Sequence, residues 1–184
     1  MTDEPWLARL VPAPLDRKKH DRAAFACGEA RIDNFLKNNA ADQADQDHCK
    51  VYVAIEPPDP RILGYYVLSP HIIDAHSLPE ADRKKMPRHG MISAIYLSII
   101  GVDQSVQNRG LGKFLLGDAL KCCVNAANFT GGHFIVLDAL NENAARLYRR
   151  IGFIDLPAPG RENRMLMTMA KVRTVVAALT IAAA

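Results

Sequence analysis

Apolar positions along the chain fall into short blocks whose period switches between that of a strand and that of a helix. Residues 92–102 are an apolar run rich in β-branched side chains, which predicts a buried strand. Polar residues follow from Asp103 to Arg109. From Gly110 the apolar residues Leu111, Phe114, Leu115, Ala119, Cys122 and Ala126 recur at helical spacing. A strand, a glycine-bearing turn and a helix start, in that order, have the layout of an anion cradle. The first N–H groups of a helix lack intrahelical acceptors and point at whatever lies in front of them. Gly110 and Gly112 carry no Cβ, so a diphosphate can approach the backbone, and Arg109 and Lys113 put positive charge at the same end.

The same patterning assigns the rest of the chain. Residues 6–11 read as a first strand, closed by Pro12 and Pro14. After Gly28 a helix carries Ile32, Phe35, Leu36 and Ala40 on one stripe, and its far end, residues 38–46, is nearly all polar. Residues 51–56 and 61–69 form a β-hairpin around Pro57, Pro58, Asp59 and Pro60, and Pro70 ends or kinks the second strand. Residues 74–90 are a polar loop with a basic cluster, Arg83, Lys84, Lys85 and Arg88. Beyond the 110–127 helix, Gly131 and Gly132 turn the chain into a strand at 134–137. Asn141 opens a helix over 142–151, with Ala145, Leu147, Tyr148 and Ile151 facing inward, and Gly152 stops it. Strands begin at Phe153 and at Arg164. The order β-α-β-β-β-α-β-α-β-β predicts an α/β fold, a mixed sheet flanked by helices.

Composition narrows the picture only a little. A chain of 184 residues, 49% hydrophobic and 23% charged, suits one soluble domain, here residues 1–170, with 171–184 as an apolar tail. A net charge of +3 permits a nucleic-acid partner without requiring one. Residues 174–184 are too short to span a bilayer, and Asp3, Glu4 and Pro5 stand where a secretory signal would be basic. No membrane association and a cytoplasmic location are expected. Cys27, Cys49, Cys122 and Cys123 show no C-x-x-C spacing, which fits a reduced compartment, and the six histidines show no metal-ligand spacing, so no metal is expected.

The cradle has the spacing Gln107-x-x-Gly110-x-Gly112, which is neither a Walker loop nor a dinucleotide fingerprint. It resembles the pyrophosphate loop of the GCN5-related N-acetyltransferases, which bind acetyl-coenzyme A. A second stretch, Asn141 to Tyr148 followed by Gly152 and Phe153, resembles the N-x-x-A-x-x-L-Y-x-x-x-G-F segment of the same family, in the family's order. The resemblance implies that Gln107, Asn108, Arg109, Gly110, Leu111, Gly112 and Lys113 hold the pyrophosphate. It implies that Ile100 and Val102 pair through their backbones with the pantetheine arm, as an added strand would. It also sets Asn141 by the cofactor arm and Tyr148 by the thioester sulfur.

A narrower resemblance covers most of the chain. Phe25-Ala26-Cys27-Gly28 with Ile32 to Leu36, and Leu63 to Ser69, resemble segments of a subgroup made of bacterial toxins from two-gene toxin–antitoxin modules. These acetylate the α-amino group of aminoacyl-tRNA and block translation. The subgroup implies an aminoacyl-tRNA substrate, a ribbon-helix-helix antitoxin and a homodimer. Two departures are Ala26, where Asp is frequent, and the length of chain after Lys171. Competing readings are acetylation of a protein N-terminus or a small-molecule amine, and an antitoxin-bound co-repressor in which catalysis is secondary.

Direct transfer needs a neutral amine, a stabilised oxyanion and a proton for the departing thiolate. Tyr148 fits the last role, since a phenol with a reference pKa of about 10 stays protonated at neutral pH. A backbone N–H near Ile100 or Val102, freed by a bulge at Gly101, is the expected oxyanion donor. Glu142, Asp103 and His133 are bases by residue type only. An α-amine, with a reference pKa of about 7.7–8.0, needs no strong base. For tRNA the candidates are Arg83, Lys84, Lys85 and Arg88 on the loop and Arg149 and Arg150 beside Tyr148.

Overall fold

The computed structural model describes residues 6–78, 80–84, 86, 90–156 and 158–182. The strands are β1 (Val11–Pro14), β2 (Lys50–Ile55), β3 (Gly64–Asp74), β4 (Met91–Val102), β5 (Phe134–Asp138), β6 (Ile154–Asp155) and β7 (Arg164–Thr168). The α-helices are α1 (Ala30–Asn34), α2 (Ala40–Asp45), α3 (Glu80–Arg83), α4 (Leu111–Thr130), α5 (Glu142–Ile151) and α6 (Met169–Ala182). A π-helical turn, Phe35–Asn39, joins α1 to α2. The fold is the α/β one expected, a seven-stranded mixed sheet in the order β1-β2-β3-β4-β5-β7-β6, flanked by helices. The chain divides into two compact units, residues 1–69 with 98–119 and residues 70–97 with 120–184, and β3, β4 and α4 contribute to both.

In the first unit β2 pairs antiparallel with β1 and with β3. The first strand does not stop at Pro12, as its prolines suggest; it contains Pro12 and Pro14, and Leu7–Arg9 before it is a 3-10 turn. β1 is an edge strand, and an edge tolerates residues without an N–H. Pro70 likewise does not end β3. The ladder to β2 runs only from Gly64 to Leu68, so no β2 partner is lost at Pro70. The core of this unit gathers Phe25, Ile32, Leu36, Val51, Val53, Ile62, Tyr65 and Val67. Phe25 meets Tyr65 edge-on at 5.3 Å, and burial of such side chains contributes roughly 1.5–3 kcal/mol each. Tyr65 keeps its hydroxyl satisfied by donating to the Ile32 carbonyl at 2.7 Å.

Close packing fixes two glycines here. A Cβ at Gly64 would stand 2.7 Å from Leu115 Cδ1 and 3.1 Å from the Gly101 carbonyl, so α4 lies directly on β3. A Cβ at Gly101 would stand 2.9 Å from both Ile32 Cγ2 and Tyr65 Cε1. β4 runs through Gly101 to Val102, with Gly101 packed against Ile32 and Tyr65. Nor is β4 buried throughout: only Ile92, Ala94, Leu97 and Gly101 are, at partly alternating positions.

In the second unit β5 runs parallel to β4 and antiparallel to β7, and β6 pairs with β7. Its core gathers Ile73, Leu78, Ile92, Ala94, Phe134, Val136, Leu156 and Leu166. The apolar tail is part of α6, which opens at Met169, directly after β7. Among the described residues no helix is long and apolar enough to cross a membrane, and no cluster of His, Cys, Asp or Glu could hold a metal ion.

Candidate active site

The turn between β4 and α4 is held in place from a distance. Asp103 is 7% exposed, and its carboxylate accepts the Ala26 N–H at 2.9 Å and the Ser105 hydroxyl at 2.6 Å. Burial works to raise its pKa, but these hydrogen bonds outweigh burial and hold the carboxyl below its ordinary value. The Gln104 N–H donates to the Ala26 carbonyl at 2.9 Å. Gln107 Nε2 donates to the Cys27 carbonyl at 2.8 Å and to the Val102 carbonyl at 3.0 Å. Ala26 is thus bound through its backbone at both ends, so the departure from Asp at this position leaves the tether intact.

What the tethers present is a concave run of backbone. Asn108 and Gly110 have φ of +61° and +84°, left-handed conformations on either side of Arg109. The N–H groups of Lys113 and Phe114 both return to the Gly110 carbonyl at 3.1 Å, leaving Leu111 and Gly112 as the helix-start donors. A Cβ at Gly112 would meet nothing nearer than Val102 Cγ2 at 3.8 Å, so the approach to this turn is open. Arg109 and Lys113 are exposed beside it. The arrangement fits a diphosphate. Both amide hydrogens of the Gln107 side chain serve the protein, and through them it shapes the cradle. Ile100 and Val102 lie half-buried near the end of β4, and the Val102 carbonyl is the one Gln107 occupies.

In the other unit, α5 is set by local rules. Asn141 caps it, accepting the Ala144 N–H at 3.0 Å, a contact worth about 0.5–2 kcal/mol. Gly152, at φ +116°, closes it with N–H bonds to the Tyr148 and Arg149 carbonyls. Of the four side chains expected to face inward, Ala145 is buried and Leu147, Tyr148 and Ile151 are half-buried. The Tyr148 ring meets Phe153 edge-on at 5.7 Å. Burial raises the Tyr148 pKa above that of an ordinary phenol, so the hydroxyl keeps its proton at neutral pH. No group among the described residues hydrogen-bonds it.

The candidate bases and basic residues separate. Glu142 is paired with Arg149 at 2.7 Å, Asp103 is a tether and His133 is an exposed ring against Phe134. None is placed as a free base. Arg149 also grips Asp155 through Nε, at 3.0 and 3.1 Å to its two oxygens, so the guanidinium already has two carboxylates. Arg150 is exposed and has no ion pair among the described residues. Lys84 pairs with Glu80 at 3.0 Å, Arg83 is exposed, and Lys85 and Arg88 lie outside the described residues. No thiolate is in readiness at two of the cysteines: burial pushes the Cys27 thiol up to about 11 and that of Cys123 up to about 12. The Asp103–Ala26 tether was missed from sequence, since the signal was only an acidic residue ahead of the loop.

Comparison with known proteins agrees with this geometry. The model of the acetyltransferase (GNAT) domain family matches residues 47–155. The chain is 36% identical to the probable toxin TacT of Sinorhizobium fredii (strain NBRC 101917 / NGR234), over 91% of this chain and 96% of that one. It is 31% identical to the tRNA-acetylating toxin of Mycobacterium tuberculosis (strain ATCC 25618 / H37Rv), over 82% and 89% respectively. Among solved structures, AtaT complexed with acetyl-methionyl-tRNAfMet superposes with a TM-score of 0.82 at 27% identity, covering 90% of this chain and 98% of AtaT.

Proposed function

This chain belongs to the GNAT acetyltransferase family and is an acetyl-CoA-dependent N-acetyltransferase, and from that premise we propose that its acceptor is the α-amine of aminoacyl-tRNA. The reading makes it a translation-blocking toxin of a toxin–antitoxin module. The observation that carries it is the likeness, over nearly the whole chain, to a toxin and to a tRNA-acetylating toxin.

Acetyl-CoA supplies the acetyl group as an activated thioester. The cradle of Asn108 to Gly112 binds its diphosphate through backbone N–H groups, with Arg109 and Lys113 adding charge and Gln107 keeping the turn in shape. Ile100 and Val102 offer backbone to the pantetheine arm, and Asn141 caps the helix that carries Tyr148. Tyr148 holds a proton at its phenol oxygen and releases it to the departing thiolate, a role worth about 10²–10⁴-fold. The absence of a free base among the described candidates suits an α-amine, which is about half neutral near pH 8, better than a lysine with a reference pKa of about 10.4.

Of the basic candidates, Arg83 and Arg150 are the described ones outside any ion pair and open to tRNA phosphates, with Lys84 able to join by leaving Glu80, while Arg149 is paired with two carboxylates. The remaining parts of the reading are a ribbon-helix-helix antitoxin, a homodimer and a cytoplasmic site of action, each supported by the toxin likeness. Transfer of label from acetyl-CoA to charged tRNA, with uncharged tRNA and a lysine peptide alongside, tests the acceptor. Label on charged tRNA alone is expected; label on the peptide instead would move the acceptor to protein.

A further inference from the structure

The cation of the cradle does not hang free. The Arg109 guanidinium lies over the Trp6 ring, 4.3 Å from its centroid, well inside the range of a cation–π contact. Trp6 itself is 5% exposed. It is placed by a 3-10 turn, in which the Arg9 N–H returns to the Trp6 carbonyl at 3.0 Å. Arg9 then pins the turn by an ion pair to Glu56 at 2.6 Å, beside the end of β2. The next residue, Leu7, touches the cradle as well: a Cβ at Gly110 would stand 3.3 Å from Leu7 Cδ1.

One detail separates the ring's face from the ring as filler. The Trp6 indole N–H is buried and has no acceptor among the described residues. An unpaired buried donor is unfavourable, and a phenylalanine would fill much of the same space without it. What tryptophan adds is the strongest aromatic face for a guanidinium. With Trp6 5% exposed and Arg109 lying over its ring, its route to a ligand at the cradle runs through Arg109.

We propose that Trp6 is a positioning residue of the acetyl-donor site, its ring holding the Arg109 guanidinium in place to meet the phosphates of acetyl-CoA. The inference rests on the donor reading above. A free arginine side chain loses rotamer freedom when it grips a phosphate, and one already seated on a ring loses less. The segment ahead of β1 is therefore part of the cofactor site, although it lies about a hundred residues from the motif in sequence.

The test is a double-mutant cycle read by calorimetric titration with acetyl-CoA, on wild type, Trp6→Leu, Arg109→Gln and the pair. Loss of the Arg109 charge is expected to weaken binding about tenfold, and loss of the ring about three- to fivefold, in keeping with an exposed cation–π contact. The pair is expected to bind no more weakly than Arg109→Gln alone, because the ring acts only through the guanidinium. Trp6→Phe is expected to restore most of the loss. Should Trp6→Leu not fold, the cycle is run with Trp6→Phe, whose about twofold loss should vanish once Arg109 is replaced. Equal losses from the Trp6 change with and without Arg109, or none in either, would overturn the inference while leaving the donor site standing. A wild-type protein that binds no acetyl-CoA would overturn the donor reading and the inference together.

Discussion

The cradle and the catalytic helix are built by opposite means. α5 draws its ends and its ion pair from the twelve consecutive residues Asn141 to Gly152: a capping Asn141, a left-handed Gly152, and Glu142 and Arg149 facing each other across two turns. The cradle draws on partners far away in the chain. Asp103 and Gln107 are tied to Ala26 and Cys27, 77 and 80 residues earlier, and Gly64 and Gly101 make room for the neighbours that seat the turn. A local element tolerates change in the rest of the protein, whereas a tethered one reports on it. The lesson is that the two halves of the chemistry should fail differently.

The largest expected effect is at Tyr148. Tyr148→Phe should lower kcat by about 10²–10⁴-fold while the acetyl-CoA dissociation constant stays within twofold. A parallel loss of acetyl-CoA binding would show that the residue supports the donor site, and the division between helix and cradle would break. Next comes Asp103→Ala, which removes the buried anchor. It should cost about 1–3 kcal/mol in stability, since the Ala26 and Ser105 donors lose their acceptor, and should weaken acetyl-CoA binding in the same variant. Gly101→Ala should cost about 1–3 kcal/mol through overpacking against Ile32 and Tyr65, read by denaturant melts. Asn141→Ala should cost about 0.5–2 kcal/mol through the lost helix cap, read by the same melts.

Acid sharpens the contrast at the smallest scale. Asp103 and Asp138 both have carboxyls held below the ordinary value. For Asp138 burial is opposed by hydrogen bonds from Arg164, Tyr96 and Arg161, which bring it down to about 2. A depressed folded pKa means stability that is present above the unfolded pKa and lost as the pH falls through the folded one. Melting temperature should therefore hold above pH 4 and fall between about pH 4 and pH 2, and Asp138→Asn should flatten part of that fall. A decline already begun at pH 6 would assign the acid sensitivity to other groups.

The same contrast decides what could be read from the sequence. Element order was legible because each block announces its own period, as in the helix stripe from Leu111 and the cap pair Asn141 and Gly152. The cradle's location was legible too, since its glycines are local. Its construction was not. Gln107 looks like a ligand by position, and only its partners at Cys27 and Val102 show it shaping the turn. By local rules Pro12 and Pro14 signal a stop and Pro70 a stop or a kink, although an edge strand and the end of a ladder accommodate them. Arg149 and Arg150 are adjacent in sequence, yet one is clamped by Glu142 and Asp155 and the other is open. No spacing rule distinguishes them.

The most direct test of the proposed activity is to incubate bulk charged tRNA with acetyl-CoA and the protein, digest it with nuclease, and look for N-acetylated aminoacyl-adenosine by mass spectrometry. The account predicts that species with the wild-type chain and its loss with Tyr148→Phe. Aminoacyl-adenosine left unmodified by a wild-type chain that binds acetyl-CoA would contradict it.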